Sequence, residues 1–478
     1  MFKTSVQSGS RRAALSVVGV SVMAVLVAAC SSSGTTANSS GSSPSSAGQS
    51  TVGSSSAGAS GSSAAGTPAS PNSGSASSGA PAAGKTVDIN YWTSSSKAVI
   101  DYLDSHFNQT HPGIKVTGQY VASADNTTAK VVAALKSDTE PNILIGQDPS
   151  ELPLFSQSGK VVDLTSALKT ETDALYPGIR SGLFYKGKQL GFALGGVGNY
   201  VLFYNKDDFA KAGIAGPPTT WAELTADAVK LTDAAKHHYG VYVPLGASEW
   251  ISYTWESLLV GNGGQLLNSD GSKVAFNSPA GLAALTTWTD LVQKEKAAPT
   301  TSYAQGGSFD GAPAFASGAV SMIIEGQFAL SEFTKINYGV ALMPAGSSGK
   351  SSSGIGIGVA VVFNKGQDVN TAAETFVKWL GQPEQGAYLT AQSGGLPSAP
   401  NQLDQPVLKA QIAKQPTYNL FADQLKFGQV RPTVPAYAAI SQALSDNINK
   451  ALTGNETPQQ ALAAAETAGN AAIANSGS

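Results

Sequence analysis

From Ser31 to Gly84 the chain runs for 54 residues without one charged or aromatic side chain, built from Ser, Gly, Ala, Thr, Pro, Asn, Gln and Val alone. Such a tract buries too little apolar surface to offset the entropy of ordering it. It behaves as a flexible coil with an end-to-end distance on the order of 40 Å. The capacity to fold therefore lies in residues 85–478, a length that on a prior of about 150 residues per domain accommodates more than one compact unit. The formal charge of −3 comes with no basic block outside the extreme N-terminus, which argues against a nucleic-acid partner. The one cysteine, Cys30, excludes disulfides within the chain and cysteine-based zinc sites.

Cys30 sits at an informative place. Lys3, Arg11 and Arg12 precede a charge-free run of 17 residues, Ala13 to Ala29. A basic start, an apolar middle and small residues at the end read as an export signal over residues 1–29. A membrane anchor normally needs about 20 apolar residues, and this run is shorter and interrupted by Ser16, Gly19 and Ser21. Val27-Ala28-Ala29-Cys30 resembles the lipobox of bacterial lipoproteins, in which the Cys is acylated and becomes the new N-terminus. That resemblance implies a lipid on Cys30 and makes residues 30–84 a tether. Ser10-Arg11-Arg12-Ala13-Ala14-Leu15 is similar to a twin-arginine signal, with Ala14 where that motif favours a larger apolar residue, so the export route stays open.

After the tether, strand and helix patterns alternate. Val87 to Trp92, Ile114 to Val121, Asn142 to Ile145, Leu190 to Tyr204 and Val359 to Phe363 read as strands. Lys97 to Thr110, Thr127 to Ser137, Pro153 to Ser158, Thr254 to Val260 and Pro279 to Lys294 read as helices. Thr220 with Glu223 three residues later forms a capping box at the start of another helix. Gly/Ser breaks fall at 195–198, 346–358 and 393–397. The pattern predicts α/β layers around a mainly parallel sheet, with ligands at the C-terminal strand ends, which points to Trp92 to Ser96 and to Gln147 and Asp148. Three flexible breaks suit two lobes between which the chain crosses repeatedly.

Six segments in order resemble the maltose-binding-protein-like solute receptors of bacterial ABC sugar importers. They are Tyr91-Trp92, Phe155 to Leu164, Leu202 to Asp207 with its YNK, Gly216 to Trp221 with its P-x-T-W, Phe315 to Met322 and Leu452 to Leu462. In the fifth, Ser321 stands where Ala is usual. The resemblance spans nearly all of 86–470. It implies a two-lobe periplasmic-binding-protein-like α/β fold over 85–478 with three interlobe crossovers and a central ligand cleft. Lobe I would take about 86–196 and 359–397, and lobe II about 200–355 and 400–470. It further implies a monomeric receptor at the extracellular face of the membrane. That receptor captures a sugar, an oligosaccharide being favoured, and hands it unchanged to ABC permease subunits without any cofactor.

A sugar presents apolar C–H faces and rings of hydroxyls, so its site needs aromatic platforms and polar groups that bind two hydroxyls at once. Trp221, Trp288 and Trp379 lie in helical runs and read as core. Trp92 matches the family's cleft-facing loop, and Trp250, Tyr253 and Trp255 cluster between Gly246 and Trp255. Gln327 and Phe328 match a loop that usually carries a stacking Trp, so stacking by Phe328 and hydrogen bonding by Gln327 are both open. Gln147 and Asp148 follow the third strand, Ser94 and Ser95 follow the first, and Arg431 matches a cleft-edge segment. Enzyme signatures are missing: His106, His111, His237 and His238 lack metal-ligand spacing with carboxylates, no G-x-S-x-G occurs, and Gly195 to Gly198 has no P-loop Lys. A glycosidase needs only two carboxylates at the right separation. A receptor for a polyamine or a metal complex is the nearer alternative.

Overall fold

The computed structural model describes residues 86–122, 124–246, 248–303 and 311–476. Cys30, the export signal and the tether lie outside the described residues. Twelve strands are present among them: β1 Val87–Thr93, β2 Ile114–Tyr120, β3 Ile143–Gln147, β4 Phe184–Tyr185, β5 Lys188–Gln189, β6 Phe192–Ala193, β7 Gly198–Asn205, β8 Met322–Gly326, β9 Tyr338–Ala341, β10 Ser353–Gly356, β11 Val359–Val362 and β12 Gly428–Val430. They form two five-stranded sheets and a small hairpin, β4–β5. The first sheet has the order β2-β1-β3-β11-β6, with β1 parallel to both neighbours and β11 antiparallel to β3 and β6. In the second, β12-β10-β7-β8, β7 is antiparallel to β8 and also pairs with β9.

The first sheet follows from its sequence. The βαβ unit from β1 through the helix Lys97–Thr110 to β2 returns as a parallel neighbour, and that helix buries Val99, Ile100, Leu103 and Phe107 at helical spacing. Strands β3 and β11 are apolar runs buried on both faces, as central strands should be. Strand and helix patterns fall where the sequence places them, but the expected mainly parallel pairing holds only for β2-β1-β3 and for β10 with β12, the other strand pairs being antiparallel. Three elements also need correction. Leu190 to Tyr204 is two strands in different sheets, because Gly195 to Val197 carries the chain across. Gly195 has its missing Cβ 2.1 Å from the carbonyl oxygen of Gly386, and Gly196 has φ +93°, so neither position takes a side chain without strain. The Gly/Ser stretch 346–358 contains β10, held by β7 and β12 rather than by any apolar pattern of its own. The helix expected from Thr254 begins at Glu249 and runs to Gly261.

The capping box forms: Glu223 N donates to Thr220 Oγ1 at 3.1 Å and Thr220 N donates to Glu223 Oε2 at 3.2 Å, a cap worth about 1 kcal/mol. Trp221 and Trp288 are buried in the second lobe, and Trp379 packs on Phe107 and Phe376 in the first. Ser321 also has its reason. Its hydroxyl, fully buried, bonds Nε2 of His238 at 2.7 Å and Oδ2 of Asp208 at 3.1 Å, a part-buried polar link that Ala would break. The chain also crosses between the sheets from β10 to β11 and returns after β11. The first and third breaks pair with each other: Val197 N donates to Leu396 O at 2.8 Å, and Leu396 N donates to Val197 O at 2.7 Å.

Candidate functional site

Side chains from both sheets converge where these crossovers pass. On the helix Glu249–Gly261, Trp250 and Tyr253 are three residues apart and so share a face. Their ring centroids are 6.0 Å apart, and Trp250 meets Phe328 edge-on at 6.1 Å. Tyr200 on β7 supports both rings from below, at 5.9 Å from Trp250 and 5.4 Å from Tyr253, and its hydroxyl donates to Tyr253 O at 2.8 Å. Phe328 is 40% exposed and Trp250 is half-buried, so this pair presents apolar ring surface to solvent.

Arg431 continues the line. Its guanidinium lies 4.5 Å over the Tyr253 ring, donates through Nε to Glu249 Oε1 at 2.6 Å, and reaches Asp148 Oδ2 at 3.1 Å. Asp148 follows β3 in the first sheet, whereas Arg431 follows β12 in the second, so this ion pair joins the lobes. Burial opposes ionisation of Glu249, but the hydrogen bond and charge of Arg431, with a further bond from the Tyr437 hydroxyl at 2.9 Å, hold its carboxyl below the ordinary range. Asp148 is fixed by Ser150, whose N and Oγ donate to Oδ1 at 2.9 and 2.7 Å. A Cβ on Gly356 would stand at ordinary contact distance from the Tyr253 hydroxyl, 3.9 Å, and from Arg431, 4.0 Å, and one on Gly146 would stand 3.9 Å from Ser94 Oγ.

Of the residues expected at the site, Asp148, Trp250, Tyr253, Phe328 and Arg431 belong to this constellation, while Ser94 stands beside Gly146 in the first lobe. Five others do not. Trp255, five residues on from Trp250, is rotated by roughly 140° around the helix and is fully buried in the second lobe's core. Trp92 is 8% exposed, packed in the first lobe's core beneath the ammonium of Lys130 at 4.3 Å. Gln147 is buried and accepts from Thr128 Oγ1 at 3.4 Å. The two ends of Gln327 hold the first crossover: Nε2 donates to Val197 O at 3.1 Å, and Oε1 accepts from Asn199 N at 3.4 Å. Ser95 is turned to Thr93, whose hydroxyl donates to it at 3.0 Å. Glu249 went unnoticed in the sequence, although a carboxylate beside Trp250 was there to be seen. No cluster of three or more His, Cys, Asp or Glu able to hold a metal is present among the described residues.

Two α/β lobes with aromatic and charged groups gathered at their crossovers have the architecture of a ligand receptor. The family of bacterial extracellular solute-binding proteins matches residues 90–387, and the chain belongs to it. A putative binding protein of Brucella abortus is 27% identical over 269 residues, 55% of this chain, and the match spans 62% of that relative's length. The sn-glycerol-3-phosphate-binding periplasmic protein UgpB of Pectobacterium atrosepticum is 25% identical over 425 residues, covering 82% of this chain and 92% of the relative. The crystal structure of a cyclic alpha-maltosyl-1,6-maltose binding protein from Arthrobacter globiformis is 26% identical. It matches with a TM-score of 0.72 over 82% of this chain and 100% of that one. Among the described residues, no helix is long and apolar enough to cross a membrane.

Proposed function

We propose that the protein is the substrate-binding component of an ABC importer for a neutral sugar, an oligosaccharide being favoured. It acts as a monomer, tethered to the outer face of the membrane through an acylated Cys30, and delivers the ligand unchanged to the permease. The lobes are those drawn from the sequence, about 86–196 with 359–397 and about 200–355 with 400–470. The observation that carries the reading is the line Phe328, Trp250, Tyr253, Arg431, Asp148. It sets apolar ring faces beside carboxylate acceptors and a fixed guanidinium, the pairing that a hydroxylated ring requires.

The likeness to UgpB raises glycerol 3-phosphate as a rival ligand. Arg431 speaks against it, since two carboxylates already hold the guanidinium and leave the group with an excess of one negative charge. A phosphate would have to displace them and then face them. Calorimetric titration of the mature chain with maltotriose, the cyclic maltosyl-maltose, glycerol 3-phosphate and spermidine tests the reading. A neutral glycan should bind and the two charged ligands should not; binding of a charged ligand alone overturns it. Replacing Cys30 by Ser should abolish palmitate labelling, and labelling that persists removes the lipid from the account.

A further inference from the structure

Strand β2 ends the first sheet and is paired with β1 on one side, so its other side is a free edge. In a parallel pair, alternate residues turn their N–H and C=O to opposite sides of the strand. Just beyond β2, Val121 N donates to Thr93 O at 2.8 Å, so odd-numbered residues face β1 and even-numbered ones face outward. The outward donors of Ile114, Val116 and Gly118 are already taken. Ile114 N donates to His111 O at 2.9 Å. Asn108 clasps Val116 at both ends: its Oδ1 accepts from Val116 N at 2.7 Å and its Nδ2 donates to Val116 O at 3.0 Å. Asp104 Oδ2 accepts from Gly118 N at 2.9 Å. Asp104 and Asn108 are one helical turn apart on the helix Lys97–Thr110, so a single face of that helix does for β2 what a neighbouring strand would do. We propose that Asp104 and Asn108 guard a latent interface, holding shut an edge to which a second copy of this chain would add its own β2.

The sequence of β2 identifies the occupant. Free edges are blunted by Pro, by charge or by a bulge. Ile114-Lys115-Val116-Thr117-Gly118-Gln119-Tyr120 has no Pro, carries one charge, on Lys115, and follows β1 in unbroken register. Two such strands fit one another antiparallel about a two-fold axis at Thr117. Val116 of each copy then exchanges both backbone bonds with Gly118 of the other, and these are the groups that Asn108 and Asp104 occupy. On the exposed side Thr117 meets Thr117 and Lys115 meets Gln119, so no like charges are opposed. Tyr120, 58% exposed, comes opposite Ile114. Nothing in β2 itself opposes this pairing, so the monomer rests on the two guard residues. The inference deepens the monomeric part of the proposed function and is independent of which ligand fills the cleft.

Sedimentation velocity of the full-length chain in detergent tests this, with the parent compared against the double variant Asp104→Ala, Asn108→Ala. The parent should sediment as a monomer, and self-association of the double variant should be at least about tenfold tighter. Adding Thr117→Lys sets two ammonium groups face to face at the two-fold axis and should return the double variant to the monomer. A double variant that melts cooperatively and stays monomeric overturns the proposal. A dimer that Thr117→Lys leaves intact also overturns it, because the contact then lies elsewhere. Should the double variant fail to fold, Asn108→Ala alone decides, since it frees Val116 and leaves Gly118 held; a monomer indistinguishable from the parent overturns the guard. A parent that itself dimerises overturns both the guard and the monomeric receptor, while sugar binding by that dimer leaves the cleft reading standing.

Discussion

On the proposed reading, the second lobe offers a cleft ligand the exposed ring surfaces of Phe328 and Trp250 and a guanidinium, whereas the first offers a hydroxyl and a carboxylate, Ser94 and Asp148. Both contributions stand at strand ends or helix starts, yet their physical weight differs. Ring faces remove apolar surface from water on first contact, at about 25 cal/mol per Å2, while a hydroxyl or carboxylate gains only the difference between its bond to a ligand and its bond to water. On the proposed reading, the ligand first settles on the second lobe, and closure adds the first lobe's polar groups once water is excluded. Affinity is then set on one side of the cleft and completion of the closed state on the other.

This asymmetry can be broken experimentally. The largest effect is a control on stability: Trp255→Ala empties a core position of the second lobe and should cost about 3–5 kcal/mol in urea unfolding, with the folded fraction binding as before. An affinity change equal to that of Trp250→Ala would put Trp255 back in the site. Next comes Glu256, whose carboxyl ordinarily titrates at 4.5 and is raised to about 7 by burial. The native state then binds more protons than the unfolded chain across that window, so stability falls as pH rises through it. Glu256→Gln should remove this slope, gaining roughly 1–3 kcal/mol over the parent near pH 8 and little near pH 4, read from melting curves. Trp250→Ala should weaken sugar binding by at least tenfold, about 1.4 kcal/mol, by calorimetry. Ser94→Ala on the opposite lobe should cost less than about threefold. Equal losses at Trp250 and Ser94 would erase the distinction between the lobes.

The sequence makes the first sheet and its helices legible because Val, Ile and Leu repeat there at the period each element needs. It hides β10, since Ser353-Gly354-Ile355-Gly356 has no alternation and becomes a strand only between β7 and β12. Aromatic density between Gly246 and Trp255 marks the helix Glu249–Gly261 but cannot by itself separate its faces. Helical spacing does separate them, setting Trp250 with Tyr253 and sending Trp255 to the core. Trp92 misleads because a strand end beside a cleft also has a face toward its own core. The pairing of Asp148 with Arg431 joins residues 283 positions apart and has no local signature at all.

Strand β11 lies between β3 and β6 in the sheet, although all of β7 to β10 separates it from β6 along the chain. During synthesis β1, β2, β3 and β6 therefore emerge long before the strand that joins them, and β3 waits with a bare hydrogen-bonding edge. The first lobe cannot be completed until Val362 has left the ribosome. A chain interrupted before that residue would carry two unsatisfied edges, ready to pair with other chains, and one drawn across a membrane early would travel with its first lobe unmade.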